Sequence, residues 1–135
     1  MQELNYPINW DSKQELGIAE IDVQHKQYVS NLNGLYLAWL EAKPLNEINA
    51  LLKAFIDYED FHFKYEEELI AKNNFSDLEK HKKIHAAYSK KLLKMVATYQ
   101  ESGNNADLFL ILGYLEDWLI SHVRKYDRKY VPFIK

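Results

Sequence analysis

This chain of 135 residues contains no cysteine. That removes disulfides, thiolate catalysis, cysteine-ligated zinc and iron–sulfur clusters together. It also lacks a basic excess. The net charge is −3, whereas phosphate neutralisation needs a clustered positive surface, so nucleic acid is not expected as a partner. Lys82, Lys83, Lys90, Lys91 and Lys94 fall on one segment and read as its solvated face. No apolar run is long enough to span a bilayer, which argues against a membrane partner. The residues from Met1 to Asn5 have neither the basic start nor the apolar stretch of a signal peptide. A cytoplasmic location is therefore the default expectation. Proline and glycine are scarce, at three and four residues, and Pro44, Gly103 and Pro132 act as stops.

What is present is an ordinary globular composition, 47% hydrophobic and 27% charged, in a length that suits one domain over 1–135. The apolar period is helical and divides into four segments, at about 20–42, 46–72, 77–101 and 106–130. The first stripe reads Ile21, His25, Tyr28, Leu32, Leu35 and Trp39. The second reads Ile48, Leu52, Phe55, Glu59, His62, Glu66 and Leu69. The third is Leu78, His81, His85, Tyr88, Leu92, Met95 and Tyr99, and the fourth Leu108, Leu112, Leu115, Leu119 and His122. Asn46 and Asn104 or Asn105 are expected as helix caps, and Ser76-Asp77-Leu78-Glu79 reads as a capping box. Short links between helices of similar length predict an all-α, antiparallel up-down-up-down four-helix bundle. Residues 1–19 hold no sustained period and read as an irregular N-terminal arm whose Ile8 and Trp10 cover one bundle end.

All five histidines fall on those apolar stripes. Histidine is a frequent metal ligand and an uncommon core filler. Residues four apart on a helix lie about 40° apart around the axis and about 6 Å along it, so His62/Glu66 and His81/His85 can each aim at one point. His25 opens the first segment, His62 and Glu66 lie late in the second, His81 and His85 open the third, and His122 and Asp127 close the fourth. In an antiparallel bundle those four places share one end. Singly, each signal has a bland reading: a hydrogen-bonded core histidine, a chance pair, a surface acid. Jointly, five imidazoles and two carboxylates buried without a metal would leave costly polar groups unpaired. One spacing is awkward. His122 and Asp127 are about 140° apart on an ideal helix, which predicts a π-bulge or a loosened turn between Ser121 and Tyr130.

Seven ligands exceed the needs of one zinc or iron, and a pair of ions sharing carboxylates would use them all. Glu59-Asp60-Phe61-His62 is one Glu-x-x-His match to a ferritin-like site, but no second exists, so Glu59 reads as a neighbour of the site. The His-Glu-x-x-His signature of metalloproteases is absent.

The arm with Trp10, Gly17-Ile18-x-x-Ile21-Asp22-x-Gln24-His25-Lys26, His62-Phe63-x-x-Glu66-Glu67, His81-x-x-x-His85 and Trp118-Leu119-x-x-His122-x-x-x-x-Asp127 together resemble the hemerythrins, especially single-domain bacterial hemerythrins. The resemblance covers nearly the whole chain and misses no ligand position. It implies two irons, His81, His85 and His122 on one and His25 and His62 on the other, bridged by Glu66, Asp127 and an oxo or hydroxo group. It further implies reversible uptake of dioxygen at the five-coordinate iron, hence an oxygen carrier, storage or delivery protein with no catalytic residues. Phe63, Trp118, Leu119 and Val123 are expected to line the oxygen pocket, although such residues would fill any bundle core. Tyr28 stands where the family usually has an aliphatic residue; its hydroxyl either enters the pocket or points to the bundle edge while its ring packs. Ile70, where the family often has methionine, is a neutral core exchange.

Two other functions compete. A di-iron oxidase or peroxidase usually has more carboxylates and fewer histidines than this set. A module sensing oxygen, iron or nitric oxide would need a separate partner, since the chain ends soon after the fourth segment. A carrier implies an oxygen-accepting protein. No oligomeric state follows from the residues.

Overall fold

The computed structural model describes residues 6–10 and 12–134. The expectation of no signal peptide at residues 1–5 falls outside the described residues. Four helices account for most of the chain: α1 (Ala19–Leu40), α2 (Leu45–Lys72), α3 (Leu78–Ser102) and α4 (Asn105–Lys125). Short 3-10 turns cover Ser12–Gln14 and Asp127–Phe133. α1 packs on α2 and α4, and α3 packs on α2 and α4, which closes a four-helix bundle. Among the described residues no helix is long and apolar enough to cross a membrane.

The links are tight because each ends in a left-handed residue. Gly103 has φ 63°, which glycine adopts without a Cβ clash, and its N–H reaches the Tyr99 carbonyl at 2.7 Å. Asn74 (φ 58°) does the same for α2, and the next N–H, of Phe75, bonds the Ile70 carbonyl at 3.0 Å. Ala42 (φ 51°) ends α1, with the Lys43 N–H on the Ala38 carbonyl at 3.0 Å. Alanine bears the strain of that region with nothing in its side chain to offset it.

The starts differ in part from expectation. Asn104 does cap α4, its side chain accepting the Asp107 N–H at 2.9 Å. α2 begins one residue before Asn46, with Pro44 as its cap and no side-chain bond. The predicted capping box at Ser76 does not form. Asp77 is the cap of α3, again without a side-chain bond, because the turn after α2 already satisfies this stretch through the backbone, Leu78 N–H to Phe75 carbonyl.

The arm takes a different course from the predicted end cap. Tyr6 lies against Tyr36, the Ile8 N–H donates to Asn33 Oδ1 at 2.8 Å, and the Trp10 ring is 6.1 Å from the His25 ring. It therefore runs antiparallel along α1. Asp22 then ties it down, accepting the Leu16 N–H at 2.8 Å and the Gly17 N–H at 3.0 Å.

Two apolar clusters fill the interior. The larger runs from Tyr28 and Phe55 through Leu92 and Leu112 to Val123. The smaller holds Leu16, Ile21, Ile70, Phe75 and Tyr130. Along every helix the histidines and their carboxylates fall between members of the two clusters. A polar layer is thus sealed on both sides by hydrocarbon, where an unpaired polar atom is costly.

Candidate metal centre

The seven residues singled out by spacing meet in that layer. His25, His62, Glu66, His81, His85, His122 and Asp127 are all buried, Glu66 and Asp127 completely. Their potential ligand atoms fall into two overlapping groups, each within 4.8 Å: Glu66, His81, His85, His122 and Asp127, and His25, His62, Glu66 and Asp127. Only the two carboxylates belong to both.

Each carboxylate straddles the groups. Glu66 Oε1 is 2.8 Å from His81 Nε2 and 3.2 Å from His85 Nε2, while its Oε2 is 3.5 Å from His62 Nε2 and 4.0 Å from His25 Nε2. Asp127 Oδ1 is 2.9 Å from His122 Nε2 and 3.2 Å from His81 Nε2, while its Oδ2 is 3.3 Å from His25 Nε2. Every histidine thus turns Nε2 inward.

His81 Nε2 and Glu66 Oε1 form a hydrogen bond at 2.8 Å, whereas the other approaches are close but poorly aligned for protons. Among the described residues neither Asp127 oxygen nor His25 Nε2 has a hydrogen-bond partner, despite the short distances. His85 Nε2 and His122 Nε2 face each other at 3.1 Å. Buried ligand atoms that converge with few aligned donors between them suit a cation better than a proton network. A donor set rich in imidazole suits first-row transition metals such as zinc, copper, iron or nickel.

The charges respond as a coupled set. Burial pushes His62 down to about 4, with the Glu66 charge opposing it. Burial also works against His81, but Asp127 and Glu66 outweigh it and hold this imidazole up at about 9. His25 is raised by the same balance, with Asp127 the main partner. Burial and mutual repulsion would raise both carboxyls. The imidazoles overcome this, lowering Glu66 to about 2 and Asp127 well below its usual range.

Asp127 reaches the layer because α4 ends early. The backbone switches from the Tyr126 N–H on the His122 carbonyl (2.8 Å) to the Lys129 N–H on the Tyr126 carbonyl (3.2 Å). The irregularity expected here is therefore neither a π-bulge nor a loosened turn but a tighter 3-10 turn. Pro132, which has no N–H to donate, lies inside it.

The rings are oriented from outside the layer, by groups that spacing could not reveal. The His62 Nδ1–H donates to Gln24 Oε1 at 2.6 Å, the tautomer that leaves Nε2 free inside. The His85 Nδ1–H donates to Glu67 Oε2 at 2.8 Å by the same logic. The Tyr130 hydroxyl donates to Glu66 Oε2 at 3.0 Å. Among the described residues His122 has no partner on Nδ1, and its ring stacks 3.9 Å from Trp118, nearly parallel. Gln24 and Glu67 stand next to ligands in the quoted motifs; Tyr130, three residues after Asp127, carried no signal.

A small cavity adjoins the layer, lined by His25, Tyr28, Glu59, His62, Trp118, Leu119, His122, Val123 and Asp127. His81 and His85 do not line it. Tyr28, Trp118, Leu119 and Val123 were expected there. Phe63 instead stacks on His85 at 3.9 Å, at the floor of an open groove between α2 and α3. Glu59 is a wall residue as well, so the lining is less apolar than the expected set. The Tyr28 ring packs on Phe55, and its hydroxyl donates to the Leu115 carbonyl at 2.7 Å, inside the bundle and not at its edge.

Known proteins are similar to this chain over most of its length. A hemerythrin-like protein of Naegleria gruberi is 32% identical over 124 residues, covering 92% of this chain and 91% of its own. The bacteriohemerythrin of Pseudomonas aeruginosa is 29% identical over 126 residues, 93% of this chain and 80% of its own. The myohemerythrin of Theromyzon tessulatum is 25% identical over 128 residues, 95% and 94%. The hemerythrin HHE cation binding domain matches residues 16–134, and the chain belongs to that family, whose hallmark is a di-iron site.

Proposed function

We propose that this protein is a non-enzymatic di-iron protein that takes up and releases dioxygen, for transport, storage or delivery to an accepting protein. His81, His85 and His122 would hold one iron, and His25 and His62 the other. Glu66, Asp127 and a solvent-derived oxo or hydroxo group would bridge them. The observation that carries this reading is the straddle: Oε1 and Oδ1 face the three-histidine group, Oε2 and Oδ2 the two-histidine group.

The counts differ between the two positions. Three imidazoles, two carboxylate oxygens and the shared oxygen would complete one; the other, with one imidazole fewer, would keep a free corner. Both histidines of that poorer group line the small cavity. When bound, two ferrous ions supply the electrons that dioxygen borrows and returns.

The chain's own residues do the remainder. Gln24 and Glu67 fix the tautomers that keep Nε2 available. Tyr130 holds Glu66 in its straddling pose. Trp118, Leu119 and Val123 narrow the cavity and exclude the water that would trap charge. A dry pocket strengthens each interaction within it and disfavours any reaction that leaves net charge behind.

Anaerobic reconstitution with ferrous iron, metal counting and oxygen cycling test the reading. Two irons per chain, one for each donor group, and a long-lived, reversible charge-transfer colour are expected. Rapid decay of the colour with substrate turnover in stopped flow would instead mark an oxidase or peroxidase. Uptake of a single metal per chain would refute the paired site.

A further inference from the structure

A buried acid with no part in that chemistry stands beside the pocket. Glu59, on α2 one turn before His62, is only 3% exposed. The Tyr88 hydroxyl of α3 donates to its Oε2 at 3.1 Å. Tyr88 lies 3.5 Å from the Tyr28 hydroxyl of α1, which in turn donates to the Leu115 carbonyl of α4. The charges that bear on Glu59, from Glu66, Asp127 and Asp60, are all negative. Burial first, and then those carboxylates, push Glu59 well above the usual range, against the pull of the Tyr88 bond. Bound cations would reverse the contribution of Glu66 and Asp127, leaving burial as the cause that favours the proton.

The same three oxygens accommodate a proton on Glu59 if the line reverses. Glu59 then donates to Tyr88, Tyr88 to Tyr28 and Tyr28 to the carbonyl, so each tyrosine oxygen accepts once. With Glu59 ionised, the Tyr88 proton turns to the carboxylate and Tyr28 loses its donor.

Glu59 also faces two ways. Inward it lines the small cavity with His25, His62 and Asp127. Outward it lines a second cavity of about 80 Å³ between α2 and α3, with Ile56, Asp60, Ser89, Leu92 and Leu93. Asp60 is exposed and Ser89 half-buried, so this outer cavity meets solvent and has room for water. One carboxyl thus stands between the candidate oxygen pocket and a recess with room for water.

We propose that Glu59 is the proton inlet of the oxygen pocket, drawing protons from the outer cavity and handing them to reduced dioxygen in the inner one, and so setting the lifetime of the oxygenated protein. This rests on the reversible oxygen-binding reading. Dioxygen leaves as hydrogen peroxide after gaining two electrons and two protons. The electrons come from the two ferrous ions, each of which becomes ferric. For each proton the Glu59 O–H bond breaks, and the carboxylate is reprotonated by water of the outer cavity. Tyr88 is a positioning residue that aims the carboxyl. A carrier benefits from a single, buried acid here, because its loss reaction is then limited by one slow proton.

The test uses the full chain in two metal forms. In the zinc-loaded protein, which has no redox chemistry, infrared difference spectra of wild type against Glu59→Gln should show a protonated carboxyl band that shifts in D2O. Tyr88→Phe should move that band to higher frequency, and Ser89→Leu, which plugs the outer cavity, should slow its exchange with deuterium. In the iron-loaded protein, Glu59→Gln should slow decay to ferric protein and hydrogen peroxide by about tenfold or more, since a positioned proton donor contributes roughly 10²–10⁴-fold. The solvent isotope effect on that decay should fall with it. A missing carboxyl band, or a decay rate and isotope effect that Glu59→Gln leaves untouched, overturns the proposal. Absence of any reversible coloured adduct in the wild type refutes the carrier reading instead, and the band with its exchange then decides the acid alone.

Discussion

Gln24 offers a selective way to weaken half of the proposed centre. Its Oε1 accepts the His62 Nδ1–H at 2.6 Å, and both residues are buried. Gln24→Leu keeps the volume and removes the acceptor. The orphaned N–H then costs the fold about 1–3 kcal/mol. Free to rotate or to change tautomer, the His62 ring should bind metal more weakly by about 10–100-fold, the usual effect of losing such a partner, or roughly 1.4–2.7 kcal/mol. The loss should be confined to the two-histidine position, because His85 keeps its own bond to Glu67. Anaerobic titration with cobalt, followed by its visible bands, resolves the two sites: a single tight step is expected to persist while the second moves to higher concentration. Gln24→Glu is the converse, since a carboxylate would make the His62 imidazole a stronger donor and the iron there easier to oxidise. Equal weakening of both steps in Gln24→Leu, or no weakening, refutes the argument.

Other outcomes follow from particular contacts. Ala42→Gly should stabilise the chain by about 0.5–1 kcal/mol in urea unfolding, because relief of a left-handed alanine exceeds the added freedom of the unfolded state. Ile70→Ala, at a fully buried position of the smaller cluster, should cost about 2–5 kcal/mol by the same assay. Tyr28→Phe removes the bond to the Leu115 carbonyl and should cost about 0.5–1.5 kcal/mol, with Tm as readout. For chelator-treated protein, His81 at about 9 stabilises the fold fully below its unfolded value of 6.5, and this is lost as pH rises through 9. His62 at about 4 acts oppositely, its contribution being lost as pH falls from 6.5 to 4. Glu66 at about 2 loses its share below 4.5. The Tm should therefore peak near pH 6.5, and a steady rise up to pH 9 would contradict these shifts.

The helical period was enough to place His25, Ile21 and Leu32 on one stripe, and the order of the histidines along four segments was enough to bring them to one end. Both inferences need only 3.6 residues per turn and short links. Gly103 and Asn104 were readable as a stop and a start because their chemistry acts within a few residues. Other features escaped the sequence for one common reason. The partner of Glu67 is eighteen residues away, that of Gln24 thirty-eight, and that of Tyr130 sixty-four, and no local pattern encodes such pairings. Asp127 sits wrongly on an ideal helix and arrives only because α4 tightens at Tyr126. Glu59 looked like a neighbour of the site; the bundle decides that it closes one cavity and opens on another. Periodicity reports which face a residue occupies, whereas the stagger and rotation of one helix against the next determine which atoms touch, and those depend on how all the side chains pack together.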